Sequence, residues 1–262
     1  MATGEGLSVV IPSWREGPRL LEAIRAARLA LGAAEVVVAA SEEAADVRDC
    51  ARDEGVVWVE CPEPNRGRQL GLGANRASGQ HLVFVHADSR LPPDAGSLIR
   101  GTLAKTGVAG GAFRLRFDQR HPVLDTLAWM SQASLPSAFL GDQCLFCTRD
   151  AYDAAGGFRP EPLFEDVDLA RRLACVGKLV RLREAVTTSA RRFTERGPLR
   201  QVVTNGFLMI AFHAGVSPRR MVKAYAGPVG RPPKAEAASH ERHLRSPSTR
   251  RVTGPRTSRR TP

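Results

Sequence analysis

Over residues 7–107 the chain alternates short apolar runs with longer stretches at helical spacing, and no other feature constrains the fold as much. LSVVIP (7–12), EVVVAA (35–40), VVWVE (56–60) and HLVFVHAD (81–88) read as strands, being short, β-branched and bounded by turn residues. Between the first two, PRLLEAIRAARLAL (18–31) places apolar residues at helical spacing behind Pro18. Residues 42–55 read as a helix stopped by Gly55, 68–79 as a helix despite its glycines, and 92–107 as a helix opened by prolines. A strand that is apolar throughout needs helices over both faces of its sheet. The order therefore implies a doubly wound, mostly parallel α/β sheet that binds ligands at the carboxyl ends of its strands. Pro12 to Glu16, Ala39 to Ser41, Glu60 to Pro64 and His86 to Asp88 then surround one crevice.

Past residue 108 the alternation stops. VAGGAFRLRF reads as a strand with a glycine kink, HPVLDTLAWMSQASL as a helix and DQCLFCTR as a strand. EDVDLARRLACVG (165–177) reads as a helix with acids in its first turn and a terminal glycine. LVRL and AVTTSARRF read as two short strands, and a C-terminal helical segment follows from Pro198 to Tyr225, broken near Gly215 to Pro218. Within it GFLMIAFHAGV (206–216) falls short of the ~20 apolar residues that span a bilayer. It fits either a core helix or one lying in a membrane interface.

The formal net charge of +11 is concentrated at the end: nine Lys or Arg against two Glu from Gly227 to Pro262. That segment is rich in Pro, Ser and Thr and is expected to be a disordered basic tail, because it cannot bury enough apolar surface to offset its ordering entropy. It either stays solvated or touches anionic lipid or nucleic acid, and nothing periodic or aromatic in it points to a specific nucleic acid. Five scattered cysteines and no signal peptide fit reduced thiols and a cytoplasmic protein, with the inner membrane face as an alternative location. Cys144 and Cys147 lack a second Cys/His pair and read as strand positions rather than a zinc or redox motif.

Three acidic stretches could carry chemistry. Asp88 ends the buried run LVFVHADSRL, where many enzymes use Asp-x-Asp to hold a hard cation against a diphosphate; here His86 stands in the first acid position. Asp88 reads as a metal ligand or as a turn residue. Glu165 and Asp166 open a helix and read as capping acids or as a reactive pair. Asp142 and Gln143 lie in a loop before a strand, where function and simple turns both occur. NRGRQLGLGAN (65–75) is a basic, glycine-containing turn that can hold a phosphate, but it is neither a Walker A loop nor a dinucleotide fingerprint.

Taken in order, SVVIPSWRE, NRGRQLGLGANRASG, LVFVHADSRLP, GGAFRLRF, GDQCLF, GGFRPEPLFEDVDLARRL and VTTSARRF resemble the family 2 glycosyltransferases of the GT-A fold. The likeness is nearest to the bacterial subgroup with a His-Ala-Asp metal motif that is associated with radical-SAM and selenium-related genes. It covers roughly residues 7–225.

This resemblance implies a GT-A domain over residues 1–226, followed by the tail at 227–262. The domain would comprise a nucleotide-binding half (7–107), an acceptor half (108–197) and C-terminal helices (198–226). It implies an inverting, metal-dependent hexosyltransferase that moves sugar from a UDP- or GDP-sugar to a hydroxyl or carboxyl on a lipid, carotenoid or cell-envelope glycan. The alternative is a silent nucleotide- or lipid-binding protein that keeps the fold. The cation would be Mg²⁺ or Mn²⁺ on Asp88, with His86 as a second ligand or ribose contact. Asp166 would be the base, and Glu165 would orient it or bind the acceptor. Pro12, Trp14, Glu16, Arg66, Arg68 and Gln69 would line the nucleotide, and Asp142, Gln143, Arg191 and Arg192 would contact acceptor, sugar or diphosphate. In one respect the chain departs from the family: an Asp usual after the second strand is replaced by Ala39 and Ala40.

Overall fold

Successive residues of the first two strands enter different cores, which is why these runs are apolar without interruption. β1 (Leu7–Trp14) pairs in parallel with β2 (Glu35–Ser41). Val9, Ile11, Val36 and Val38 pack on one face against Leu20, Ile24 and Ala27 of α1 (Pro18–Leu31). Val10 and Val37 pack on the other against Leu70 and Ala74 of α3 (Arg66–Arg76). Strand side chains alternate faces with period two, so a sheet covered on both sides demands apolar residues at every position.

These features come from a computed structural model that describes residues 6–132, 139–191, 198–218 and 220–221. Contacts divide the chain into Met1–Lys223 and Ala224–Pro262, and every described residue belongs to the first unit. The basic tail expected over residues 227–262 lies outside the described residues.

The remaining elements are α2 (Ala45–Asp53), β3 (Val57–Glu60), β4 (His81–Phe84), β5 (Ser89–Arg90), α4 (Ala95–Leu103), β6 (Val108–Phe117), α5 (Pro122–Met130), β7 (Phe146–Thr148), α6 (Arg149–Ala154), α7 (Glu165–Val176), β8 (Lys178–Thr188) and α8 (Pro198–His213). One eight-stranded sheet has the order β3-β2-β1-β4-β7-β6-β8-β5. The β3-β2-β1-β4 half is parallel throughout, as the alternating sequence requires. β7 enters antiparallel between β4 and β6, β6 pairs with β8 in parallel, and β5 closes the far edge antiparallel to β8. The doubly wound α/β expectation therefore holds, with a mixed second half.

The glycines of α3 follow from its position. A Cβ at Gly73 would run into the Val10 side chain and stand 3.4 Å from Ala39 Cβ, so α3 lies closer to the sheet than any larger residue would allow.

Several elements differ from the sequence reading for identifiable reasons. The helix expected from residue 42 begins at Ala45, because Glu42 is left-handed (φ 55°) and Glu43 folds back. β4 stops at Phe84, since a turn closed by Ser89 N–H donating to His86 O (3.0 Å) carries Asp88 off the strand. LVRL and AVTTSARRF contribute to a single strand, β8, whose irregular register opposite Ala112–Arg114 absorbs the polar residues between them. The expected DQCLFCTR strand shortens to β7, because Gly141–Gln143 form a 3-10 turn and Cys144 is left-handed. Thr148 then caps the unforeseen helix α6, its hydroxyl accepting from Ala151 N–H (3.1 Å).

Candidate active site

The sequence places His86 and Asp88 just past β4, and the structure adds a second segment against them. Val85 N–H donates to Val10 O (3.1 Å), which holds the chain extended up to His86. The buried His86 ring then sets Nδ1 3.0 Å from Asp142 Oδ1 in the 3-10 turn. On the other side of that turn Gly141 N–H donates to Asp166 Oδ2. A Cβ at Gly141 would stand 2.9 Å from Asp166 Oδ2 and 2.9 Å from His86 Nε2. Only a residue without a side chain lets the histidine and the aspartate approach this closely.

Asp166 and Glu165 open α7 but do not act as simple caps. The N-cap position is Phe164, left-handed at φ 60°, with no side-chain cap bond. Glu165 is 1% exposed; its Oε1 takes the guanidinium of Arg66, while its Oε2 is buried without a protein partner. Burial works against the charge on Arg66, but Glu165 and then Asp166 hold its pKa above the ordinary value. Asp166, 7% exposed, has its carboxyl pushed up to about 6 by burial and by Glu165. Arg66 and the N–H groups of Gly141 and Val167 pull the other way, Val167 donating to Oδ1 at 2.7 Å.

Four non-glycine residues have positive φ among those described: Arg15, Glu42, Cys144 and Phe164. They follow β1, follow β2, precede β7 and precede α7, so the strained backbone borders the strand-end crevice.

The other sequence candidates fall in several places. Pro12 and Trp14 lie at the carboxyl end of β1, with half-buried Glu16 in the following loop. Glu43 braces that loop: its carboxylate accepts from Ser13 Oγ (2.7 Å), Glu16 N–H (2.7 Å) and Gly17 N–H (3.1 Å). The β2 terminus thus lacks the expected acid at Ala39 and Ala40, and an acid a few residues later is used structurally. Gln69 is buried and donates to the carbonyls of Ser13 (2.7 Å) and Ala39 (3.0 Å), tying the ends of β1 and β2 together. Arg68 pairs with Glu63 (2.6 Å) and lines a cavity of about 660 Å³ between α3 and Phe158–Pro162, apart from the His86–Asp166 cluster. Gln143 accepts from Arg181, whose guanidinium lies 4.0 Å from the Phe139 ring centroid.

Asp88 O accepts from Ser189 N–H (3.2 Å), and Arg191 N–H donates to Ser189 Oγ (3.3 Å), which brings Arg191 beside the Asp88 turn. Arg192 lies outside the described residues. The sequence reading passed over Gly141, Glu43 and Arg181. Gly141 was visible only as the residue before Asp142, Glu43 as a helical acid, and Arg181 as a strand position.

Among the described residues no three His, Cys, Asp or Glu side chains form a cation cage. Asp88 and Asp142 nevertheless share a neighbourhood: after burial, Asp142 and then Asp88 raise the pKa of the Cys144 thiol. One or two carboxylates completed by substrate phosphates is the usual provision for a Mg²⁺-type ion. The donor set therefore fits a cation shared with a bound diphosphate rather than one caged by protein alone. Cys147 lies in β7, and burial raises its thiol too, so this CxxC holds protonated core thiols.

No family profile and no curated protein matches the chain. Solved structures do. The mannosyltransferase PcManGT from Pyrobaculum calidifontis, in complex with GDP-Man and Mn²⁺, is 18% identical with a TM-score of 0.56, over 71% of this chain and 57% of that one. Glucosyl-3-phosphoglycerate synthase from Mycobacterium tuberculosis, in complex with Mn²⁺, UDP and glucosyl-3-phosphoglycerate, is 18% identical with a TM-score of 0.54, over 81% of each chain. TarS of S. aureus is 12% identical with a TM-score of 0.53, over 70% of this chain and 36% of its own. The chain spans little more than half of the mannosyltransferase and about a third of TarS. At these identities the likeness is one of fold, the GT-A architecture.

Proposed function

We propose that the protein is a metal-dependent, inverting glycosyltransferase of the family 2 type, using a UDP- or GDP-sugar and a hydroxyl acceptor. Residues 1–226 would form the transferase domain and 227–262 a basic tail. The observation that carries the reading is the pairing across Gly141: a buried carboxylate poised near neutrality, Asp166, meets the His86–Asp142 pair that borders the Asp88 turn. Mn²⁺ beside GDP-Man or UDP in fold relatives supports a diphosphate donor and a divalent cation.

In this reading Asp88, with His86 or Asp142 beside it, would hold Mg²⁺ or Mn²⁺. The ion would supply charge neutralisation for the leaving diphosphate. Arg191 would add a cationic contact there. Pro12, Trp14 and Glu16 would face the nucleoside on a loop held by Glu43. The acceptor oxygen forms its bond to the anomeric carbon on the face opposite the diphosphate. The bond to the donor phosphate oxygen breaks with its electron pair, and the acceptor proton passes to Asp166. A base with a pKa near the working pH combines availability with driving force. The N–H groups of Gly141 and Val167 aim its two oxygens, and the unpartnered Glu165 Oε2 would receive a second acceptor hydroxyl.

Asp166→Asn tests the assignment. Transfer, or hydrolysis of the donor by water, should fall about 10²–10⁴-fold while donor binding persists. Retained transfer in the folded variant removes Asp166 from the role.

The silent-binder reading draws support from the acid-free end of β2, where Ala39 and Ala40 are fully buried. A silent binder would show no donor hydrolysis with Mn²⁺ in either the wild type or the variant.

A further inference from the structure

Among the described residues, the large apolar side chains left exposed gather on one part of the surface. Six of the nine are Trp129 and Met130 on α5, Val203, Phe207 and Ile210 on α8, and Val216 just after it. The α8 residues recur at i, i+4 and i+7, the spacing of one helical stripe. Phe207 is 73% exposed and Ile210 70%, and Trp129 on the neighbouring helix is 71% exposed. α5 packs against α8, so the two contributions lie on adjoining helices. An apolar surface of this kind marks a contact with something other than water.

Charge decides what that contact is. From Arg196 to Lys223 the sequence has five Lys or Arg and no Asp or Glu. An apolar stripe within an exclusively cationic stretch matches a bilayer of anionic lipid, where each basic residue near the surface adds about 1 kcal/mol and buried apolar area adds the rest. No described helix is long and apolar enough to cross a membrane, so α8 would lie in the interface plane.

We propose that α5 and α8 form a docking face for anionic membrane, with Phe207 and Ile210 as anchors and Trp129 as a flanking anchor. The inner side of α8 touches the candidate site: Phe212 and Phe164 have ring centroids 5.0 Å apart, and Phe164 immediately precedes Glu165. Docking does not depend on the transferase reading. That the acceptor itself is carried by lipid does rest on it.

Flotation of the full-length protein with phosphatidylcholine vesicles, and with vesicles of phosphatidylcholine mixed with phosphatidylglycerol, tests the face directly. The protein should float with the mixed vesicles and not with phosphatidylcholine alone. Phe207→Ser with Ile210→Ser should reduce the bound fraction by about tenfold or more, because two side chains that would enter the bilayer are truncated. The thermal midpoint and any donor-dependent stabilisation should not change, which separates a failure of docking from a failure of the transferase reading. As a check that does not rely on the double variant folding, brominated mixed vesicles should quench an emission component that Trp129→Phe removes. Wild-type protein that ignores mixed vesicles, or a folded double variant that binds them like wild type, overturns the proposal. So does a wild-type dimer that ignores vesicles and becomes monomeric in the double variant, which would make this a face between two copies.

Discussion

At the residue scale the site depends on one glycine and one displaced pKa. Asp166 holds its proton up to about pH 6 in the folded chain, against an ordinary value of 3.8. If it is the base, the rate should rise with pH, level off above about 6, and lose that limb in Asp166→Asn. The stability consequence has a definite sign. A carboxyl whose folded pKa is raised contributes stability that is fully present below its ordinary value and is lost as pH rises through the folded value. Asp166→Asn should therefore be more stable than wild type at pH 7, on the order of 1 kcal/mol, with the difference shrinking as pH falls from about 6 to 4. Denaturant titrations of both proteins at these pH values read it. Gly141→Ala should lower activity about 10²-fold with little change in secondary structure, since the new methyl separates His86 from Asp166 and small misplacements are costly in a catalytic geometry.

At the element scale α3 and α7 are linked through the pair of Arg66 with Glu165, whose charge is almost wholly buried. Removing the cation strands a buried carboxylate, which costs roughly 3–5 kcal/mol where both partners are inside. Arg66 is 36% exposed, so Arg66→Met should cost less, about 2 kcal/mol, read as a lower denaturation midpoint. Adding Glu165→Gln should recover part of that loss, because it removes the stranded charge. Much at this scale was legible beforehand. The expected helix 18–31 is α1 residue for residue, and β2 and β3 lie within a residue of expectation at each end. The misses have a common cause: local spacing does not report a contact from a distant segment. Glu43 leaves its helix for Ser13, Glu16 and Gly17, and the run LVRLREAVTT joins into one strand because β6 offers a partner along its length.

At the scale of the whole molecule the parallel half of the sheet and the mixed half contribute different groups to one crevice. If that crevice takes a nucleoside diphosphate sugar with a cation, a donor with Mn²⁺ should raise the thermal midpoint more than either alone. At a donor concentration of 100 times its dissociation constant the stabilisation should be about 2.7 kcal/mol. Thermal scans with UDP- and GDP-sugars read it, and absence of stabilisation with every donor would count against a nucleotide-sugar site.

The sequence by itself determined the doubly wound first half, because apolar runs of strand length alternating with helical periodicity leave no other way to bury both faces of a sheet. It also singled out LVFVHADSRL and the Glu165–Asp166 pair, through acids placed where a strand ends and a helix begins. Only the tertiary structure decided that these belong together. A turn 55 residues after His86 brings Gly141 between the histidine and Asp166, while Arg68 and Gln69, two and three residues after the Arg66 that pairs with Glu165, face a separate cavity and the sheet. The reason is geometric. Which side chains meet is set by strand order and by how closely backbones approach, and both arise from pairings between residues far apart in the chain.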